Sequence, residues 1–294
     1  EVREKLLAKA KELKIKDLSN SQVKKIDKNG HFKVHTENSQ ETYDRIIIAT
    51  GGRFKDLYSG FDLAIRLGHT VTELKPALSG LITQENWVKS IAGVTLNNIK
   101  GSVYYNNKCE RVLYGDLLFT HEGITGPLAY KISSYFAFYN YNKNTPLLVK
   151  LDLSGLNEDE LEDRIINSLD SNPKKAIGNI VSEYIPRSLA GKILELAGIE
   201  YDKKAAYISK NERKSIIKYL TGLELHIIGA ASSGEIVTAG GISLDEVNSS
   251  TMESKLVDGL YFCGEVLNID GLTGGFNLQA CWSTGFIAGK SSVL

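Results

Sequence analysis

The feature that most constrains this chain is a short apolar run ending in small residues, Tyr43-Asp44-Arg45-Ile46-Ile47-Ile48-Ala49-Thr50-Gly51-Gly52. Three consecutive β-branched residues without polar alternation predict a strand buried on both faces, as in a parallel sheet. The small residues that follow leave the carboxyl end of that strand bare, which is where parallel sheets receive ligands. A second block, near the other end of the chain, reads the same way. Residues 259–263 (Gly-Leu-Tyr-Phe-Cys) predict a strand, and Gly264-Glu265 follows it directly. A loop with Asn268, Asp270, Gly271, Gly274 and Gly275 then leads into a helix expected over residues 276–288. A carboxylate just after a strand can accept hydrogen bonds from ligand hydroxyls. Paired glycines before a helix leave its first N–H groups uncovered and favour negative charge there.

Between these blocks the periodicity changes several times. Val2, Leu6, Leu7, Ala10 and Leu13 fall at helical spacing. Residues 21–28 and 31–37 predict two strands, and Asn29-Gly30 between them is a type I′ hairpin signal. A short helix over 61–67 can be capped by Gly68. From about 78 to 151 the chain is rich in Val, Ile, Tyr and Thr, with tight turns such as Asn106-Asn107. That pattern predicts a small antiparallel unit or barrel, with a helix after Pro127. Residues 157–222 read as helical, opened by a capping box of Asn157 and Glu160 with Glu158 and Asp159 in the first turn. A further helix is expected at 214–220. Residues 223–242 return to strand, broken by Gly229, Gly234, Gly240 and Gly241. In the last helix Cys281, Gly285 and Gly289 form a stripe without bulk. Gly in a helix costs about 1 kcal/mol relative to Ala, so the stripe predicts close packing on a neighbour.

Composition narrows the function. The 294 residues are 42% apolar and 24% charged, a globular balance long enough for two domains or for one large domain split by an insertion. Lys plus Arg and Asp plus Glu number 35 each, so no net charge draws the chain to nucleic acid or to an anionic membrane. No apolar run reaches the roughly 18 residues of a spanning helix, and no signal peptide is visible. Cys109, Cys263 and Cys281 are dispersed without a CxxC, which predicts a cytoplasmic protein with neither disulfide frame nor zinc site. Cys263, in an apolar strand, reads as core. His31, His35, His69 and His226 lack metal-ligand spacing, and no GxSxG or Walker A motif occurs. His121, in the Gly-flanked segment 119–127, is a candidate for substrate contact. The chain opens at Glu1 directly into a helical pattern, which predicts a fragment or trimmed form of a longer protein.

Together these motifs resemble a known group. Ala49-Thr50-Gly51-Gly52 with the 264–288 block resembles flavoproteins of the glutathione-reductase-2 class. Gly68-His69, residues 73–78, residues 115–127, Val237-Thr238-Ala239-Gly240-Gly241 and Thr251-Met252-Glu253-Ser254 resemble, more specifically, the YhiN/BaiN-like (aminoacetone-oxidase-like) family of FAD-dependent NAD(P)/FAD oxidoreductases. The resemblance covers nearly the whole chain. It implies an α/β fold with an α+β insert. A Rossmann-like FAD-binding domain (1–75 and 240–294) would be interrupted by a β-barrel-like insertion (76–155), a small helical subdomain (156–222) and a β return (223–239). It also implies a site for FAD. Ala49, Thr50 and Gly51 would lie against the dinucleotide, and Gly264 and Glu265 at the ribityl or nearby hydroxyls. Asp270, Gly274 and Gly275, with Phe276, Asn277, Leu278 and Gln279, would meet the isoalloxazine ring. Val23 is the candidate for adenine contact.

Three departures from the family pattern stand out. The opening βαβ unit with GxGxxG is absent, so this chain alone is expected to hold FAD weakly or not at all. Residues 53–61 are shorter and poorer in Gly. Asn268 stands where the family often has an acid, so it joins His121 as the second catalytic candidate.

The resemblance implies a flavin-dependent oxidoreductase passing hydride between FAD and a small organic substrate or NAD(P)H. With no second dinucleotide fingerprint, NAD(P)H would dock only transiently. The insertion would cover the flavin and select the substrate. The helix at 276 would stabilise the negative charge that gathers at the flavin's pyrimidine edge, an effect on the order of 3 kcal/mol for donors of this kind. Two other readings stay open. A non-catalytic FAD-binding or partner-binding protein would explain the lack of a clear acid–base residue, but not the retained ring loop. A tRNA-modifying flavoprotein is opposed by zero net charge and the absence of a basic stripe. No metal, nucleic-acid or membrane partner is expected.

Overall fold

The computed structural model describes residues 1–52, 60–231 and 237–293; the expected features at 53–59 and at Gly234 lie outside the described residues. The chain forms two compact units. The first comprises Glu1–Thr72, Gly241–Asn268 and Ala280–Leu294, and the second Glu73–Gly240 with Ile269–Gln279.

The first unit opens with α1 (Val2–Glu12), a helix as its spacing predicts, although none of its residues is buried. An antiparallel meander follows: β1 (Lys25–Asn29), β2 (His31–His35) and β3 (Gln40–Tyr43). β1 is shorter than expected because its partner β2 ends at His35, where the chain turns so that Thr36 N donates to Ser39 O at 2.9 Å. Val23 therefore precedes the strand rather than lying on it. The hairpin is not type I′ either. Only Gly30 takes a positive φ, of 78°, and Asn29 does not. β4 (Ile46–Ile48) comes next, and then α2 (Gly60–Arg66), closed as expected by Gly68 in the left-handed region (φ 93°).

The second unit is built on a closed barrel. Its elements in chain order are β5 (Lys75–Ala77), β6 (Leu81–Thr83), β7 (Thr95–Tyr105), β8 (Lys108–Phe119), β9 (Gly123–Thr125), α3 (Pro127–Tyr135) and β10 (Leu147–Asp152). The helices α4 (Glu158–Ser171), α5 (Ile177–Val181), α6 (Arg187–Leu196) and α7 (Lys210–Thr221) follow, then β11 (Leu223–Ala230) and β12 (Val237–Ala239). The barrel closes in the order β10-β11-β6-β9-β8-β7, and β5 pairs with β12 outside it. Val103, Leu117, Val149, Leu151, Leu225 and Ile227 fill the interior and are wholly buried. Gly115 lets α3 lie against β8, since a Cβ there would stand 2.9 Å from Leu128 N. The Asn106-Asn107 turn has both residues at positive φ (49° and 64°), the geometry of a type I′ hairpin. Asn157 caps α4 by accepting from Glu160 N at 2.8 Å, but the Glu160 carboxylate turns to Arg164 (2.7 Å) instead of completing the expected box. The complete capping box is on α7, between Ser209 and Glu212.

The chain then supplies β13 (Leu260–Phe262), in the first unit, and α8 (Phe276–Ser291). β13 pairs with β4 in parallel, Leu260 with Ile46 and Phe262 with Ile48. Parallel pairing follows the expectation; burial on both faces does not. Ile48 is buried, but Ile47 is 39% exposed although its register partner Tyr261 is buried. The glycine stripe of α8 is also corrected. Positions Gly285 and Gly289 face open space, and the helix buries Thr284 and Ala288 instead. No helix among the described residues is long and apolar enough to cross a membrane.

Candidate functional site

In the first unit, the parallel register of β4 and β13 brings two strand ends together. Ala49-Thr50-Gly51 and Cys263-Gly264-Glu265 therefore leave neighbouring strands at the same, carboxyl end. Ala49 and Thr50 are exposed. Thr50 Oγ1 accepts from Gly60 N at 2.9 Å and ties this turn to the start of α2. Gly51 (φ 76°) has nothing among the described residues within 4 Å of where a Cβ would stand, so its backbone is open on that side. Gly264 is also left-handed (φ 77°), and its N–H donates to Thr284 Oγ1 at 3.0 Å, which pins the turn to α8. Glu265 is half-buried in the short 3₁₀ turn that follows. Cys263 is buried, and burial raises its thiol above the ordinary range. Burial, and then the Glu265 carboxylate, do the same for Cys281. Both stay protonated thiols and poor nucleophiles.

The same unit holds a buried histidine. His69 Nε2 lies 2.7 Å from Ser254 Oγ, and the ring stands edge-on to Phe262 at 4.8 Å. Ser254 Oγ already accepts from Leu256 N and Val257 N, both at 2.9 Å, so its own proton goes to Nε2. The imidazole proton then sits on Nδ1, which is buried on the side of the Ala64 carbonyl but outside good hydrogen-bond geometry. Burial holds the His69 pKa below its ordinary value despite the Glu246 carboxylate. His69 and Ser254 appeared in the sequence only as two separate landmark segments. Nothing in the sequence signals that they meet.

In the second unit, residues 269–279 form the glycine-rich loop and the first turn of α8. The Asn277 amide closes the loop on itself. Its Oδ1 accepts from Gly271 N at 2.8 Å and its Nδ2 donates to Gly271 O at 2.9 Å. That side chain is thus committed to the loop. Gly274 (φ 121°) and Gly275 (φ 85°) take conformations costly for other residues, and open space surrounds the Cβ position of Gly275. The first helical bond runs from Gln279 N to Gly275 O. The N–H groups of Phe276, Asn277 and Leu278 therefore precede the intrahelical ladder, and no acidic residue occupies the first turn. Phe276 and Leu278 are 64% and 66% exposed and form an apolar surface beside this loop. Asp270 is exposed overall, and desolvation on one side lifts its carboxyl above the ordinary value.

The remaining candidates stand apart. Val23 is half-buried ahead of β1, in the first unit. His121 is exposed between β8 and β9, in the second. Asn268 belongs to the first unit and donates its backbone N–H to Ile242 O at 3.0 Å. His31, His35 and His226 each face one carboxylate, Asp44, Asp27 and Glu85 respectively. Among the described residues no three His, Cys, Asp or Glu side chains are placed to hold a metal ion.

Comparison with known proteins follows the same lines. Residues 1–291 match the family model described as HI0933-like protein Rossmann domain. The chain is 30% identical over 280 residues to a ribosomal RNA dihydrouridine synthase of Haemophilus influenzae, with 92% of this chain and 66% of that protein covered. It is 28% identical over 268 residues to a 3-dehydro-bile acid delta(4,6)-reductase of Clostridium scindens, covering 89% and 65%. It is 27% identical over 267 residues to a ribosomal RNA dihydrouridine synthase of Escherichia coli, covering 85% and 62%. The chain spans less than two thirds of the length of each of these relatives.

Proposed function

The chain belongs to the HI0933-like Rossmann family, and from that premise we propose that the whole protein is an FAD-dependent reductase adding hydrogen to an electron-poor carbon–carbon double bond. The observation that carries this reading is the pair of parallel strand ends that turn at Gly51 and Gly264. Both turns are left-handed glycines; the Cβ position of Gly51 is open among the described residues and that of Gly264 meets Cys281 Sγ at 3.6 Å, so a cofactor would lie along this end of the strands at Gly51. Bound FAD would supply the hydride chemistry.

The chain's own residues would do the rest. Ala49, Thr50 and Gly51 would seat the dinucleotide, and Glu265 would accept from its hydroxyls. Taken by itself, the second unit presents the N–H groups of Phe276 and Leu278 ahead of the α8 ladder, preorganised dipoles suited to an electron-rich ligand edge. Asn277 would hold the loop in the shape that aims them. Phe276 and Leu278 side chains lend that turn an apolar surface.

The names of the relatives support the class of reaction. Dihydrouridine is uridine with its ring double bond saturated. A delta(4,6)-reductase acts on ring double bonds of a ketone. In both, the double bond is conjugated to a carbonyl, which makes it a hydride acceptor. NAD(P)H as the donor that recharges the flavin is part of the same proposal, as is a small-molecule substrate.

An anaerobic single turnover tests it. The whole protein, its flavin reduced beforehand, is mixed with a cyclic enone and with a uridine-containing RNA. Flavin reoxidation together with a product carrying two added hydrogens from either substrate is expected. Reoxidation by oxygen alone, with no saturated product from either, would overturn the reading and favour a protein that only binds FAD.

A further inference from the structure

Two segments of the second unit share an unusual composition. The β7–β8 hairpin tip reads Tyr104-Tyr105-Asn106-Asn107-Lys108, and the chain after α3 reads Phe138-Tyr139-Asn140-Tyr141-Asn142-Lys143. The fold brings them together. Tyr105 Oη donates to Asn140 O at 3.1 Å, the Tyr105 ring stands edge-on to Tyr139 at 5.1 Å, and Tyr139 leans on Phe136 at 4.7 Å. The second segment also borders a cavity of about 450 Å³, whose wall includes Pro76, Phe138, Tyr139, Tyr141 and Gly229. Phe138 is 55% exposed and Tyr139 39%, large areas for aromatic rings beside polar tips.

Charge is uneven as well. Between residues 97 and 150 the cations are Lys100, Lys108, Arg111, Lys131, Lys143 and Lys150, and the only carboxylates are Glu110, Asp116 and Glu122. The zero net charge of the whole chain conceals this excess within the segment, of which Lys150 is paired with Glu224 at 2.8 Å, and Glu73 with Lys75 stands in the cavity wall.

We propose that this rim binds unpaired nucleotides of an RNA. Exposed rings next to a cavity suit base stacking, which accepts any base because every base has a π-face. Asparagine amides carry both donor and acceptor and can read the free edges of unpaired bases. Lys143 and Lys108, the latter paired with Glu110 at 3.1 Å, sit at the tips where a phosphate backbone would pass. A duplex hides its base faces and cannot use the rings. What the contact is for rests on the proposed reductase activity, with the RNA presenting the double bond; the binding itself does not.

The test uses residues 1–294 and a fluorescently labelled oligouridine, with an RNA duplex of equal length as competitor, followed by anisotropy at two salt concentrations. The single strand should bind more tightly than the duplex, and more weakly at high salt. Phe138→Ala should weaken the single strand about 5- to 150-fold, the range of one lost stacking contact. Lys143→Gln should reduce the salt dependence by about 0.7 in logarithmic slope, one phosphate contact. Lys210→Gln, on the exposed start of α7, is the control and should change nothing, and circular dichroism melts confirm that each variant is folded.

No binding of oligouridine, or folded Phe138→Ala and Lys143→Gln variants that bind like the parent, would overturn the proposal. Failure of this kind while the whole protein still saturates an enone would leave the reductase reading intact. RNA binding without reduction of any double bond would do the reverse.

Discussion

Asn277→Ala should open the glycine-rich loop without unfolding the protein. The side chain makes two hydrogen bonds to one residue, accepting from Gly271 N at 2.8 Å and donating to Gly271 O at 2.9 Å. Each partly buried, neutral bond contributes about 1 kcal/mol net, so losing both costs the closed loop about 2 kcal/mol. That is about a 30-fold shift toward open forms. Gly274 and Gly275, both at positive φ, have no side chain with which to hold the loop closed. Amide hydrogen exchange at Gly271 reads the opening directly. The Gly271 N–H should exchange about 30-fold faster in Asn277→Ala, while amides in the barrel strand β10 keep their protection. Asn277→Asp retains the acceptor but loses the donor, and should show an intermediate effect. Unchanged Gly271 exchange in Asn277→Ala would show that the clamp does not hold the loop, and the role assigned to Asn277 would fall with it.

Two further outcomes follow from the first unit and the barrel. His69 is neutral in the fold, with its pKa held below 6.5 by burial, while the unfolded chain titrates near 6.5. The unfolded state therefore binds the extra proton first, and stability should fall as pH drops from about 6.5 through the lowered folded pKa. His69→Gln, which keeps an acceptor for Ser254, should flatten that limb of urea midpoints measured between neutral and mildly acidic pH; an identical limb in both proteins would remove His69 as its source. Gly123→Ala should lower stability by at least about 2 kcal/mol, because the added Cβ would overlap Leu81 O and stand 2.8 Å from Thr83 N, both backbone atoms of the paired strand β6. A melting temperature equal to the parent's would contradict the tight β6–β9 approach.

Local chemistry was legible where it decides structure alone. The tandem asparagines at 106–107 both reach positive φ and make the turn their type favours, and Gly68 ends α2 as a helix terminator should. Asn29-Gly30 carries an equally strong turn signal but makes a different turn, because the register of β1 on β2 pairs Asn29 with His31 and leaves only Gly30 left-handed. The Ile46–Ile48 run announced a parallel strand correctly. Its burial depended on how many elements cover it, which no short window contains. The α8 stripe failed for the same reason: spacing identifies a face of small residues, but the neighbours that α8 finds are at Thr284 and Ala288. The contact between His69 and Ser254 joins residues 185 apart in sequence, beyond any local pattern. In the candidate site, the small residues after each strand marked the strand ends. The structure added that these ends are adjacent in register, and that Asn277 spends its amide on Gly271.

The central claim is that the turns at Gly51 and Gly264 seat FAD, and the most direct measurement is flavin content. The whole protein, purified and extensively dialysed, should retain FAD at one per chain, seen as visible flavin absorbance and identified after release by heat. Glu265→Ala should weaken retention. A folded whole protein that neither retains FAD nor binds it on titration would contradict the account, as would a Glu265→Ala variant with unchanged FAD affinity.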